Sequence, residues 1–179
     1  LNQTVLLVDE AYHPFYEPTV AAWTSSSSNL IVARTFAKAW GSAGLRLGYV
    51  VAHPETANLL HKMRPMYETS TLAIEFMYRM LDHVKDMEQS VARIKKAKLY
   101  FENEMQHMGM KVLPTASNFL HVAFGENGPV IHKSLADKVL YRVSFDHPCL
   151  RGYSRFSLGT KQVMKQIVDL IKEVIRNKS

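Results

Sequence analysis

With 179 residues, 47% of them apolar and 21% charged, the chain can bury one sizeable core or parts of two. No apolar run approaches the ~20 residues that a membrane-crossing helix needs, and nothing at the start resembles a signal peptide. A net charge of +6 raises nucleic acid as a partner. The lysines and arginines are spread along the chain, however, and their one cluster, Arg93-Ile94-Lys95-Lys96-Ala97-Lys98, falls in a helical pattern as a solvated face. Neither a membrane nor a nucleic acid is therefore expected as a partner. The single Cys149 cannot form an internal disulfide, which suits a reducing cytoplasm.

In chain order, Thr4-Val5-Leu6-Leu7-Val8 reads as a buried strand, and Asp9-Glu10-Ala11-Tyr12 leaves its end. His13-Pro14-Phe15-Tyr16-Glu17-Pro18 is a loop because its prolines limit helix and sheet. A polar tract from Ser25 to Asn29 precedes a second strand at Leu30-Ile31-Val32, and Leu47-Gly48-Tyr49-Val50-Val51-Ala52 reads as a third. His53-Pro54 starts a helix that stops at Arg64-Pro65.

The apolar residues Met77, Met80, Leu81, Val84, Met87, Val91, Ile94, Phe101, Met105 and Met108 then recur at helical spacing. They predict one amphipathic helix from about residue 72 to 108, capped by Ser70 or Thr71 and ended by Gly109. So long a helix exceeds one small core and is expected to pass from a larger domain into a smaller one. Phe119 to Phe124 is a strand, Gly125-Glu126-Asn127-Gly128 a turn, and Val130 to Leu140 a helix. Arg155-Phe156-Ser157-Leu158-Gly159 alternates as a strand, and Thr160 caps a last helix with an apolar face of Val163, Met164, Ile167, Val168, Ile171 and Val174.

Two strand ends carry chemistry. A carboxylate and a phenol, Asp9 and Tyr12, leave the first strand, while Thr35, Lys38 and Arg46 follow the second. In open α/β sheets, ligands bind at such ends. A lysine amine forms Schiff bases with carbonyls, an acid pairs with a pyridinium nitrogen, and a hydroxyl with a guanidinium holds a phosphate. Pyridoxal phosphate asks for that combination. The eight histidines show no close metal-ligand spacing, so no metal is expected.

The motifs Asp9-Glu10-Ala11-Tyr12, Arg34-Thr35-Phe36-Ala37-Lys38 and Gly44-Leu45-Arg46-Leu47-Gly48-Tyr49 resemble the fold-type I, class I/II aminotransferases, and within them the histidinol-phosphate aminotransferase group. Ala37 stands where that group usually has serine, and Ser42 where it has leucine. The resemblance implies an α/β fold: part of the pyridoxal-phosphate-dependent transferase large-domain sheet over residues 1–75, then a small α+β C-terminal domain over 76–179. It makes Lys38 the catalytic lysine that carries pyridoxal 5'-phosphate, Asp9 the partner of the ring nitrogen and Tyr12 that of the phenolic oxygen. Thr35 and Arg46 would bind the phosphate. Arg155 resembles the late arginine that forks onto the substrate's anionic group. Arg151 is either a second anion contact or a loop charge. Asn118-Phe119 matches a pair that shapes the small domain's strand. Arg64-Pro65-Met66-Tyr67-Glu68 departs from an Arg-x-Pro-Tyr-Asn segment of the group, which puts histidinol phosphate itself in doubt.

The resemblance further implies amino-acid and 2-oxo-acid substrates, a homodimer, and a match to only the second half of such an enzyme. Because the chain opens on Leu1 almost directly into a strand, it reads as a fragment, expected to bind cofactor poorly and not to turn over alone. Two other activities belong to the same scaffold: a decarboxylase of the threonine-phosphate type, and a non-catalytic effector sensor in a transcription regulator.

Overall fold

The computed structural model describes residues 4–177, and packing divides the chain into two units that meet in sequence at Val91 and Ala92. In the first, β1 (Leu6–Asp9) pairs in parallel with β2 (Leu30–Thr35), from Leu6 opposite Leu30 to Asp9 opposite Ala33. The third strand, β3 (Gly48–Ala52), returns antiparallel on the other side of β2, with Thr35 opposite Gly48. Val32 at the centre is fully buried, whereas β1, which among the described residues pairs on one side, leaves Leu6 and Leu7 56% and 62% exposed. The second strand runs farther than its apolar segment predicts, because the ladder to β3 continues through Arg34 and Thr35.

Helix α1 (Pro54–Lys62) begins on its proline and ends before Arg64-Pro65. The predicted helix of 72–108 is interrupted. Helix α2 (Thr71–Met80) gives way to one 3₁₀ turn at Leu81–His83, after which α3 (Val84–His107) continues. The break falls at Asp82 and His83, both poorer helix formers than the leucines, lysines and glutamates around them. Ser70 occupies the N-cap position of α2 without a side-chain cap bond; its carbonyl accepts from the amide of Ile74. Gly109, at φ +76°, closes α3. Its amide donates to the Gln106 carbonyl and that of Met110 to Met105, so two otherwise unpaired carbonyls are satisfied.

The second unit carries an antiparallel sheet in the order β4 (Lys111–Leu113), β5 (Phe119–Ala123), β6 (Tyr153–Ser157). Leu120 and Val122 on β5, and Ser154 and Phe156 on β6, point to the core, where they meet Phe101 of α3, Ile131 of α4 (Gly128–Leu135), and Met164 and Ile171 of α5 (Lys161–Arg176). The intervening residues, Phe119, His121, Tyr153 and Arg155, form the outer face. Strand β4 has no signal of its own in three residues. Helix α4 ends at Leu135, short of the predicted Leu140, and the chain then brings Tyr141 flat against Phe156 at 4.5 Å. Thr160 caps α5 as expected, its hydroxyl accepting from the amide of Val163.

Phe156 touches Phe101, Phe124 and Tyr141 and is 1% exposed. Phe156→Ala is expected to lower stability by about 4 kcal/mol, read as a fall in the urea midpoint without a change in slope.

Candidate active site

Parallel pairing puts the carboxyl ends of β1 and β2 on one sheet edge. Asp9 closes β1, and its Oδ1 accepts the amide of Ala11 at 2.9 Å, which turns the chain and leaves the carboxylate exposed. Tyr12 follows in that turn. From the loop after β2, Lys38 Nζ reaches to 5.4 Å from the centre of the Tyr12 ring, within cation–π range. Asp9, Tyr12, Thr35 and Lys38 thus come from two chain segments to one edge.

The loop that carries Lys38 is folded by backbone bonds: Gly41, at φ +66°, donates to the Lys38 carbonyl and Ser42 to that of Phe36. Arg46 follows a 3₁₀ turn at Ala43–Leu45 and adopts a left-handed φ of 52°, unusual for a side chain this large. One guanidinium nitrogen donates to the Ala43 carbonyl at 3.1 Å. Thr35 donates its hydroxyl to Leu47 O at 3.3 Å and accepts the Ala37 amide at 3.1 Å. Gly48 is required where it stands, since a Cβ there would lie 2.7 Å from the carbonyl oxygen of Arg34. The close approach of β3 to β2 keeps Thr35 and Arg46 on the same short hairpin.

Glu10 and Arg34, beside Asp9 and Thr35 in sequence, form a network that the sequence reading does not assign. Arg34 donates through Nε and Nη2 to Glu10 Oε2 at 3.0 and 2.9 Å, and Nη2 also reaches Thr19 Oγ1. Thr19 and the amide of Val20 donate to the same carboxylate. Glu10 is 9% exposed and Arg34 16%. Burial alone would raise the Glu10 pKa; the bonds from Val20, Thr19 and Arg34, with the Arg34 charge, outweigh it and hold the carboxyl below its ordinary value of 4.5. The signal was available only as charge complementarity between two motif neighbours. Beside the network a cavity of about 520 Å³ is lined by Asp9, Glu10, Tyr12, His13, Tyr16 and Trp23 among others.

The donor set suits pyridoxal phosphate: an exposed carboxylate, a phenol, an amine and a hydroxyl on one edge, with a guanidinium on the connection that follows β2 and Asp9 engaged through one oxygen. Tyr67 is 93% exposed, and Glu68 forms an ion pair with Arg64. Among the described residues no group of three or more His, Cys, Asp or Glu could hold a metal.

Arg155 lies on β6 in the second unit. Its guanidinium sits 5.3 Å over the Phe119 ring. Arg151, by contrast, is exposed after the turn at Pro148–Leu150. The arginine that accompanies Arg155 is Arg142, which the sequence reading passes over; their backbones exchange reciprocal hydrogen bonds. Only the fold brings residues this far apart in sequence together. Asn118 acts through its carbonyl, which accepts from Leu158 and extends the β5–β6 register.

Among solved structures, the histidinol-phosphate aminotransferase of Sinorhizobium meliloti, in complex with pyridoxal-5'-phosphate, matches 100% of this chain and 50% of its own at TM-score 0.83 and 26% identity. L-threonine-O-3-phosphate decarboxylase from Porphyromonas gingivalis shares the fold at TM-score 0.82 and 19% identity, covering 98% of this chain and 56% of its own. The architecture is therefore that of a fold-type I pyridoxal-phosphate-dependent enzyme: part of the large-domain sheet, followed by a small α+β domain. Within that class, the family Aminotransferase class I and II matches residues 2–171, and the chain belongs to it. The histidinol-phosphate aminotransferase of Citrifermentans bemidjiense is 33% identical over 171 residues, which are 95% of this chain and 49% of the relative. The chain spans about half the length of the curated relatives it matches.

Because its folded pKa lies below the unfolded one, the Glu10 contribution is complete above pH 4.5 and is lost as pH falls through the folded value. Glu10→Ala is expected to destabilise the first unit by about 2 kcal/mol near neutral pH and by less in acid, measured by thermal melts across that range.

Proposed function

We propose that the whole protein is a pyridoxal-phosphate-dependent aminotransferase, moving an amino group between an amino acid, or an amino-alcohol phosphate, and a 2-oxo acid. The observation that carries this reading is the approach of Lys38 Nζ to the Tyr12 ring on the edge where Asp9 ends β1. When bound, pyridoxal phosphate supplies a carbonyl that captures the amino group and a ring that withdraws electrons.

Each residue has a role in this reading. Lys38 Nζ attaches the cofactor and, when displaced by substrate, moves a proton at the carbon that bears the amino group. Asp9 keeps the ring nitrogen protonated, since a carboxylate facing a cation stays ionised. Tyr12 donates its hydroxyl to the phenolic oxygen. Arg46 holds the phosphate, and Thr35 joins it by turning its hydroxyl away from Leu47. Arg155 forks onto the anionic end of the substrate. The large domain runs to residue 75 and the small one from 76, with the 72–108 helical segment between them. Such an enzyme works in the cytoplasm as a homodimer, and these 179 residues alone carry half of the site and do not turn over.

Two measurements on the full-length protein test this. Adding pyridoxal phosphate and reducing with borohydride should label the peptide that contains Lys38; a folded protein that takes no label there overturns the reading. Asp9→Asn should lower turnover by about a hundredfold or more while leaving the fold intact by circular dichroism. Normal turnover in that variant removes Asp9 from its role.

A further inference from the structure

The outer face of the second sheet holds a row of residues that its register sets side by side. Leu113 on β4 is opposite His121 on β5, His121 is opposite Arg155 on β6, and Arg155 is opposite Arg142. Directly opposed residues of antiparallel strands project to the same face with Cβ atoms about 5 Å apart. His121, Arg155 and Arg142 therefore stand in line. Two phenyl rings brace them. Phe119 meets His121 edge-on at 5.2 Å and lies under the Arg155 guanidinium, while Phe145 is 5.3 Å from His121 and 4.2 Å from the Arg142 guanidinium.

The polar capacity of this row is largely unspent. No carboxylate among the described residues pairs with either guanidinium; Arg142 Nε reaches only the Ser144 carbonyl, at 3.3 Å. Neither ring nitrogen of His121 has a hydrogen-bond partner among the described residues. Two phenyl rings would pack equally well around an aliphatic side chain. An imidazole there adds a donor beside two cations.

We propose that His121 is a third anion contact alongside Arg155 and Arg142, and that it biases this site toward ligands ending in a doubly charged group, such as a phosphate monoester, over a single carboxylate. The inference rests on the reading of Arg155 as the substrate's anion contact. Burial, and next the Arg155 charge, push the His121 pKa below its ordinary 6.5, so the ring is neutral at pH 7 with nothing bound. The charged and titratable groups on its face are Arg155 and Tyr153 of β6, Arg142 across from Arg155, and Lys111 of β4; none is a carboxylate. A dianion seated in the row reverses that field and favours the protonated ring, which then donates to it.

Inorganic sulfate is a suitable probe because it stays a dianion where histidine titrates. On the full chain at constant ionic strength, sulfate should raise the His121 pKa, followed by its ring-proton resonance and assigned by the loss of that signal in His121→Asn. Sulfate binding should tighten about tenfold between about pH 8 and about pH 5, and His121→Asn or His121→Gln should flatten that dependence. Suppose Arg155→Gln weakens sulfate binding while the histidine variants keep the full pH dependence: the inference about His121 falls and the arginine reading stands. If Arg155→Gln also leaves binding unchanged, both fall.

Discussion

The first unit is organised around one half-buried ionic contact: the Glu10 carboxylate, held by Arg34, Thr19 and the Val20 amide. It ties the residue after β1 to the penultimate residue of β2 and draws in the loop between them. With the parallel ladder and the bond from Asn29 Nδ2 to the Thr4 carbonyl, it keeps Asp9 and Tyr12 beside the segment that delivers Lys38. Buried ion pairs contribute little net stability when both partners are present, but removing one leaves a desolvated charge. The network therefore acts mainly as a geometric constraint. It fixes which groups share the edge.

Much of this was legible in the sequence, for identifiable reasons. Strands β1, β2 and β3 show as short apolar runs, and β5 and β6 as alternating ones whose inner residues are buried; the expected burial of β1 is not found, its residues being exposed or half-buried. The Gly109 stop and the Thr160 cap are local devices, readable from single residues. The Ser70 cap was overstated, since its side chain makes no bond to the helix. Strand β4 escaped notice because three residues have no period, and the 3₁₀ turn at Leu81–His83 because the apolar spacing runs through it uninterrupted. The Glu10–Arg34 pair and the Arg142–Arg155 bridge are tertiary facts. Nothing in either local sequence announces its partner.

The candidate site was legible in a different sense. Its residues were named through motifs and resemblance; the fold adds that parallel β1 and β2 end on one edge, and that the connection after β2 carries Arg46 and leads to a required glycine at Gly48. The fold does not choose the reaction. A histidinol-phosphate aminotransferase and a threonine-phosphate decarboxylase share this architecture with the chain at nearly equal TM-scores. The side chains that meet the substrate have to make that distinction.

The parallel pairing of β1 with β2 also sets a kinetic condition. Glu10 and Arg34 are 24 positions apart, and no tight hairpin can begin a parallel ladder, so the whole intervening loop has to close before the first inter-strand bond forms. Antiparallel β2 and β3 are joined through the 12 residues between Thr35 and Gly48, against 20 between Asp9 and Leu30, so their closure is the shorter one. A ligand that spans both strand ends would add a second tie across this ladder, beyond the contact between Glu10 and Arg34.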